Sequence, residues 1–213
     1  EVEQETISSS NIKRTLKFKY FATNKGKDVL IRYIEPKNVR DNAFMIKNNG
    51  DVIWVYFPKT KKIRKLAKHA AKEKAQGSDF SYRDIAGSAN WKKEYRVRKK
   101  FSGEREHYLL EFTPVIKNYT DYDRLKIYIN KLNYLPSRIL YYKNKKHFKT
   151  LTFKDVQYIQ GVPTPMIRNM KNHLENSHTT MHILNMKYDV KFETNFFTEE
   201  NLKNDSKFVL LHK

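Results

Sequence analysis

There is no cysteine anywhere in the 213 residues. That removes disulfides, thiolate chemistry and cysteine-based zinc sites, and leaves a cytosolic protein or an exported one that does without disulfides. No apolar run approaches the ~20 residues that a membrane-spanning helix needs. Glycine and proline are scarce, at six each, which argues against a low-complexity chain. Acidic residues are outnumbered: 23 Asp and Glu face 43 Lys and Arg, for a formal charge of +20. The chain has no Walker motif, no dinucleotide fingerprint and no G-x-S-x-G, so nothing nominates a nucleotide enzyme or a serine hydrolase.

What the chain does have is aromatic residues, 14 Tyr and 13 Phe, within a hydrophobic share of 39%. A chain of this length and composition can bury a sizeable core as one folded domain. The positive field attracts polyanions, whether nucleic acid, an anionic membrane surface or an acidic protein. Most of the excess is lysine, which lacks the guanidinium fork suited to reading bases.

The dominant local pattern is alternation of apolar and polar residues, the period of a strand. "TLKFKYFA" (15–22) sets Leu16, Phe18 and Tyr20 against Lys17 and Lys19. Similar runs occupy 28–36, ending at Pro36, and 42–58, where "NNG" supplies turn residues for a hairpin. Runs around Ser102-Gly103, then at 123–131, 135–144, 147–159, 164–172 and 179–190, continue the series. About nine or ten successive strands with short turns describe an antiparallel meander. "VIWVYF" (52–57) is apolar on both faces, so something must cover each side of it. Two stretches have helical character, "KKIRKLAKHAAKEKA" (61–75) and "FTEENLKN" (197–204), the second with Thr198 as its expected N-cap.

Ser81-Tyr82-Arg83-Asp84 has the form of a capping box, in which Ser81 and Asp84 satisfy each other's amides. Phe80 and Ile85 stand where a hydrophobic staple forms, Gly77 gives the chain freedom to turn in, and Gly87 suits a helix C-terminus. Caps and turns thus account for the polar residues of this stretch, and no His lies within five residues to activate Ser78 or Ser81.

At these residues the chain resembles the outer-membrane lipoprotein-sorting family, the LolA- and LolB-like lipoprotein carriers. The resemblance rests on "GSDFSYRDI" (77–85), preceded by "EPKNVRDNAFMI" and "WVYFPKTKKIRKL". It continues through Tyr134-Leu135-Pro136, Tyr141-Tyr142-Lys143-Asn144, the stretch Leu151 to Asp155, and Phe197, Thr198 and Leu202. It spans about residues 28 to 203 in order. The motif loop is therefore Gly77, Ser78, Asp79, Phe80, Ser81, Tyr82 and Asp84. Family members usually open with an amphipathic helix, for which residues 1–14 are too short and Ser-rich.

The resemblance implies a mainly β (α+β) fold: an incomplete β-barrel whose curved antiparallel sheet has its concave face covered by short helices. Residues 15–213 would form a single LolA-like half-barrel domain, with 1–14 a flexible or edge extension. It implies a periplasmic carrier that holds lipid or lipoprotein acyl chains in a hydrophobic cavity. An inner-membrane lipid exporter and an anionic membrane surface are the further partners, and the signal peptide is absent from this chain. No enzyme activity, cofactor or metal is implied.

The apolar strand faces are the candidate cavity: Ile53, Val55, Phe57, Leu110, Phe112, Ile127, Ile129, Ile139, Tyr141, Leu151 and Phe153. Trp54 and Tyr56 lie on the opposite face of their strand and become cavity residues if inside and outside are exchanged. Each of these also fits a plain packed core. A candidate basic docking patch comprises Lys61, Lys62, Arg64, Lys65, Lys68 and Lys72, within a segment carrying eight basic residues and one acid. A solvated helix face explains it equally well. His178 and His182 have the spacing of a helical metal pair, but on a strand four residues span about 13 Å, too far for one ion. The alternative function is a basic nucleic-acid- or polyanion-binding β-protein. It is disfavoured because aromatic residues alternate with lysines, which puts rings and charges on opposite faces.

Overall fold

The computed structural model describes residues 1–23, 26–86, 94–115 and 122–203. Thirteen strands form one antiparallel sheet. The first six are β1 (Val2–Ile7), β2 (Lys13–Ala22), β3 (Val29–Glu35), β4 (Ala43–Lys47), β5 (Val52–Phe57) and β6 (Lys62–Leu66). The other seven are β7 (Tyr95–Lys100), β8 (His107–Pro114), β9 (Arg124–Asn130), β10 (Pro136–Lys143), β11 (Lys146–Ile159), β12 (Val162–Asn172) and β13 (Ser177–Ile183).

Their spatial order is β6-β5-β4-β3-β2-β1-β13-β12-β11-β10-β9-β8-β7. The chain therefore starts at the middle of the sheet and meanders to one edge. It crosses to the opposite edge and meanders back until β13 pairs with β1. β6 and β7 are the two edges and do not pair, so the barrel is incomplete.

Three differences from the sequence reading have local physical causes. Residues 1–14 are not a flexible or edge extension: β1 pairs on both sides, with Gln4 opposite Leu16 and Met181. Val2 and Gln4 are buried, which is the alternation of a central strand.

The stretch 61–75 is not a helix. β6 occupies its start, where Ile63 opposes Tyr56 and Leu66 opposes Ile53. Ala67, Glu73 and Lys74 then take extended backbone angles, which leaves only short 3-10 turns at Lys68–Lys72 and Ala75–Gly77. Burial of Ala70, Ala71 and Ala75 under the sheet outweighs helix propensity.

At the C-terminal end, β13 stops at Ile183, opposite Val2, and the Leu184 and Asn185 amides both donate to the Glu1 carbonyl. The helix expected at 197–204 is a single 3-10 turn, Glu200–Leu202. Its N-cap is Glu199, and the Thr198 hydroxyl instead donates to the Asn195 carbonyl at 2.8 Å.

Both faces of β5 are covered, as its apolar sequence requires. Ile53 and Val55 join a core with Phe18, Ile31 and Phe44 on the concave side. On the convex side Tyr56 packs with Leu30, Met45, Phe196, Phe197 and Leu202. Arg32, 3% exposed, ties down that covering segment by donating to the Asn201 and Leu202 carbonyls.

Candidate functional site

The crossover between the two halves of the sheet carries the "GSDFSYRDI" stretch. Gly77 adopts a positive φ of 74°, the turn-in that a side chain would resist. Helix α1 (Tyr82–Ala86) follows. The capping box is formed: the Asp84 amide donates to Ser81 Oγ at 3.0 Å, and the Ser81 amide donates to Asp84 Oδ2 at 2.8 Å. Phe80 is buried and Ile85 packs on the same cluster. Gly87 lies outside the described residues.

Between the turn and the cap sits Asp79, fully buried. Its carboxylate accepts from Ser177 Oγ at 2.6 Å, Thr179 Oγ1 at 2.9 Å and Lys74 Nζ at 3.3 Å. Lys149, 4% exposed, donates to the Asp79 carbonyl at 2.7 Å and stands 3.8 Å from Asp84 Oδ2. Ser78 Oγ turns back to the Phe80 carbonyl. Burial disfavours the Lys74 charge, but Glu175 and Asp79 outweigh it and raise its pKa. Asp79, through Ser177, Thr179 and Lys149, thus holds the crossover onto β11 and β13. The loop is an anchor built from polar residues, and it offers no activated nucleophile.

Phe80, Arg83, Asp84 and Ile85 close one end of a cavity of about 1680 Å³. Its walls come from most strands of the sheet, among them Phe18 and Tyr20 of β2, Ile31 of β3, Leu125 of β9 and Met181 of β13. Leu110, Phe112, Ile127, Ile129, Ile139, Tyr141, Leu151 and Phe153 all line it. Ile53, Val55 and Phe57 share their concave face but belong to the packed core beside it. Trp54 and Tyr56 face the other way, under the C-terminal segment. Complete burial, then Asp84 and Tyr95, push the Tyr141 hydroxyl well above its usual range, so it stays neutral. Residues from Asn185 to Thr198 run along the cavity's flank.

The basic patch lies on and beside edge strand β6, not on a helix. Lys61, Lys62, Arg64 and Lys65 are exposed, Lys72 is half-buried, and the Lys68 side chain lies outside the described residues. Lysines along an edge strand block edge-to-edge pairing with another sheet. Lys65 and Arg64 also stand over the Trp54 and Phe57 rings, at 5.7 and 5.9 Å.

On the convex face of β9 and β10, rings and charges share one side, contrary to the alternation read from the sequence. Arg138 lies 3.8 Å from the Tyr128 ring centre and Arg124 4.2 Å from that of Tyr142. These guanidiniums cap the ring faces that stacking on a base would require. His178 and His182 are on β13, opposite Ile7 and Glu3.

A family model described as "Uncharacterized protein" matches residues 25–204. The chain belongs to that family. No curated protein matches it. Its structure is similar to a DUF1329 family protein from Desulfovibrio piger, with 25% identity, a TM-score of 0.80, and 94% of this chain and 89% of that one covered. It is also similar to a domain assigned to outer membrane lipoprotein sorting in Vibrio parahaemolyticus, with 23% identity, a TM-score of 0.79 and coverage of 95% and 89%. A LolA superfamily protein from Nitrosomonas europaea aligns with 19% identity, a TM-score of 0.76 and coverage of 94% and 89%. The fold is the LolA-like incomplete barrel that the resemblance implied.

Sequence reading missed several residues that the fold brings to this region. Lys149 and Arg168 sit in strands whose pattern is alternating, and each takes an inward position normally held by an apolar residue. That break in the alternation was the available signal. Thr179 and Ser177 carried none, because nothing local tells that they meet Asp79.

Proposed function

We propose that the protein is a periplasmic carrier that holds the acyl chains of a lipid or lipoprotein in the concave cavity. The observation that carries this reading is a cavity of about 1680 Å³ walled largely by aliphatic and aromatic side chains. Small-molecule sites occupy ~300–1,000 Å³, so this hollow suits a long amphiphile better than a compact metabolite. Burying about fifteen methylenes would be worth on the order of 12 kcal/mol, which is comparable to the ~4–15 kcal/mol that association costs. Hydrophobic transfer alone does the work, and no covalent step is required. The LolA-like fold and the sorting function named for the Vibrio domain support the same reading. No described helix is long and apolar enough to cross a membrane.

An inner-membrane exporter and an anionic membrane surface are the proposed partners, the latter suited to the +20 charge. The same charge would attract nucleic acid, but the capping of Tyr128 and Tyr142 by arginines argues for the carrier.

Native mass spectrometry of the purified protein, followed by solvent extraction, tests the proposal. Bound phospholipid or acylated peptide at near-stoichiometric amount is the expected result. A clean apo mass together with failure to take up a fluorescent fatty acid would overturn it.

A further inference from the structure

Among the described residues, Arg168 is a cation of the cavity wall whose buried Nε has no partner. Arg168 lies on β12 between Met166 and Met170 on the inward face, opposite Phe153 of β11 and Met181 of β13. It lines the cavity together with Phe153, Met181 and Tyr20. Its Nε is shut off from solvent and meets no acceptor. Among the described residues no carboxylate stands within ion-pair distance of its guanidinium. Six acidic residues border the cavity, Glu1, Asp28, Asp84, Glu94, Asp189 and Glu193, and none pairs with Arg168; Asp28 faces Lys47 at 3.7 Å, and Asp84 serves the capping box and Lys149.

Three other buried or half-buried cations of this protein donate to internal carbonyls. Lys47 donates to the Phe197 carbonyl, Arg32 to two carbonyls of the covering segment, and Lys149 to the Asp79 carbonyl. A guanidinium kept among methionines and a phenylalanine without such partners carries a desolvation cost. That cost is recovered when an anion enters, since a guanidinium fork binds carboxylate or phosphate through paired, charge-assisted hydrogen bonds. Burial raises the Tyr20 hydroxyl's pKa while Arg168 pulls it down, which places the positive field on the cavity side of β2.

We propose that Arg168 is the headgroup anchor of the cavity, so that the cargo is an anion-headed amphiphile whose carboxylate or phosphate pairs with the guanidinium while its chain lies on the apolar wall. This rests on the carrier reading and adds to it a class of ligand. A neutral lipid of the same chain length leaves Arg168 unpaired and binds more weakly.

The test uses two probes on the full chain: dansyl-labelled undecanoic acid and its methyl ester, titrated by fluorescence against wild type, Arg168→Gln and Arg168→Lys. The acid should bind wild type roughly 10- to 100-fold more tightly than the ester, the range expected for a hydrogen-bonded charge pair. Arg168→Gln should abolish that preference by bringing acid affinity down to that of the ester, and Arg168→Lys should restore part of it. Equal affinity of wild type for acid and ester overturns the anchor and leaves the carrier reading intact. So does a preference that survives in Arg168→Gln. Binding of neither probe defeats the carrier reading itself. Inorganic phosphate separates a headgroup from a free anion: displacement of the acid by micromolar phosphate would assign the site to the free ion and overturn the amphiphile. The acid–ester comparison needs no variant, so a folding defect in Arg168→Gln does not blunt it.

Discussion

Asp79 and Thr179, a hundred residues apart, are joined by two reciprocal hydrogen bonds. The Asp79 amide donates to Thr179 Oγ1 at 2.9 Å, and the Thr179 hydroxyl donates back to Asp79 Oδ2 at 2.9 Å. Thr179 also contacts Thr6 Oγ1 at 3.1 Å, which links the crossover to the central strand β1. The chain's longest excursion, from one sheet edge to the other, is thus pinned at the place where the two halves of the sheet meet.

Removing that pin should be costly. Asp79→Ala leaves the buried Ser177 and Thr179 hydroxyls without this acceptor and Lys74 with Glu175 alone, and each orphaned buried group costs roughly 1–3 kcal/mol. A loss of about 3 kcal/mol is expected, read as a lower midpoint in urea with an unchanged slope. Asp79→Asn keeps the shape but offers one acceptor in place of two, so it should fall between. A midpoint within error of wild type for Asp79→Ala would show that water replaces the carboxylate.

The capping box makes a smaller, graded prediction. Ser81→Ala removes one side-chain acceptor and should cost about 1 kcal/mol. Asp84→Ala should cost more, because Asp84 also accepts from the Tyr122 hydroxyl at 3.0 Å and faces buried Lys149. The order of the two melting temperatures is the measurement; the reverse order would mean that the cap matters more than the buried pair.

A pH dependence follows from the far side of the molecule. The His147 and His173 rings are 4.3 Å apart, and both Nε2 atoms lie 2.9 Å from Thr150 Oγ1. Desolvation, then the charges of His147 and Lys171, lower the His173 pKa below 6.5. A histidine with a lowered folded pKa binds protons less readily than its unfolded form, so stability falls as pH drops below 6.5 and levels off beneath the folded pKa. The residue is largely exposed, so the effect is small. His173→Asn should flatten the stability profile between neutral pH and pH about 5; an unaltered slope would assign it to other groups.

Under the proposed function, cargo crosses at a membrane surface. Phe101 and Leu132, 94% and 90% exposed, stand at the β7–β8 and β9–β10 connections beside Lys100 and Lys131. That is the end of the sheet where Ile129 and Pro136 line the cavity. Replacing both by Ser should cut co-sedimentation with vesicles containing anionic lipid several-fold and leave the melting temperature alone. Undiminished co-sedimentation would remove this end as the membrane contact.

The C-terminal covering segment offers a packing prediction. Phe197→Ala opens a cavity between that segment and Leu30, Met45 and Tyr56, for an expected loss of about 3–5 kcal/mol. Hydrogen exchange should show faster exchange confined to β3–β5. A loss under about 1 kcal/mol would mean that the segment collapses to refill the space.

The sequence by itself determined most of the strands, though not β1 or β6, and the cap, because these depend on neighbours within a few residues. Alternation placed Ile127, Ile129, Ile139 and Phe153 on one side of their strands, and the structure agrees. The two-sided hydrophobicity of Val52–Phe57 required a cover on both faces, which the segment around Phe196 and Phe197 provides. Alternation does not say which face is concave or what fills the hollow. Ile53 and Val55 have the same pattern as Ile127 and Ile139, yet the first pair is packed under the crossover and the second borders open space. Only the curvature of the whole sheet decides between them. Nor does local pattern show that β1 lies at the centre, since its partners β2 and β13 come from opposite ends of the chain. Arg168 is the sharpest case: on a flat sheet it would be an ordinary half-exposed arginine. The closing of the sheet around it hides its Nε from water without supplying an acceptor, and turns the guanidinium toward the hollow as a candidate ligand site.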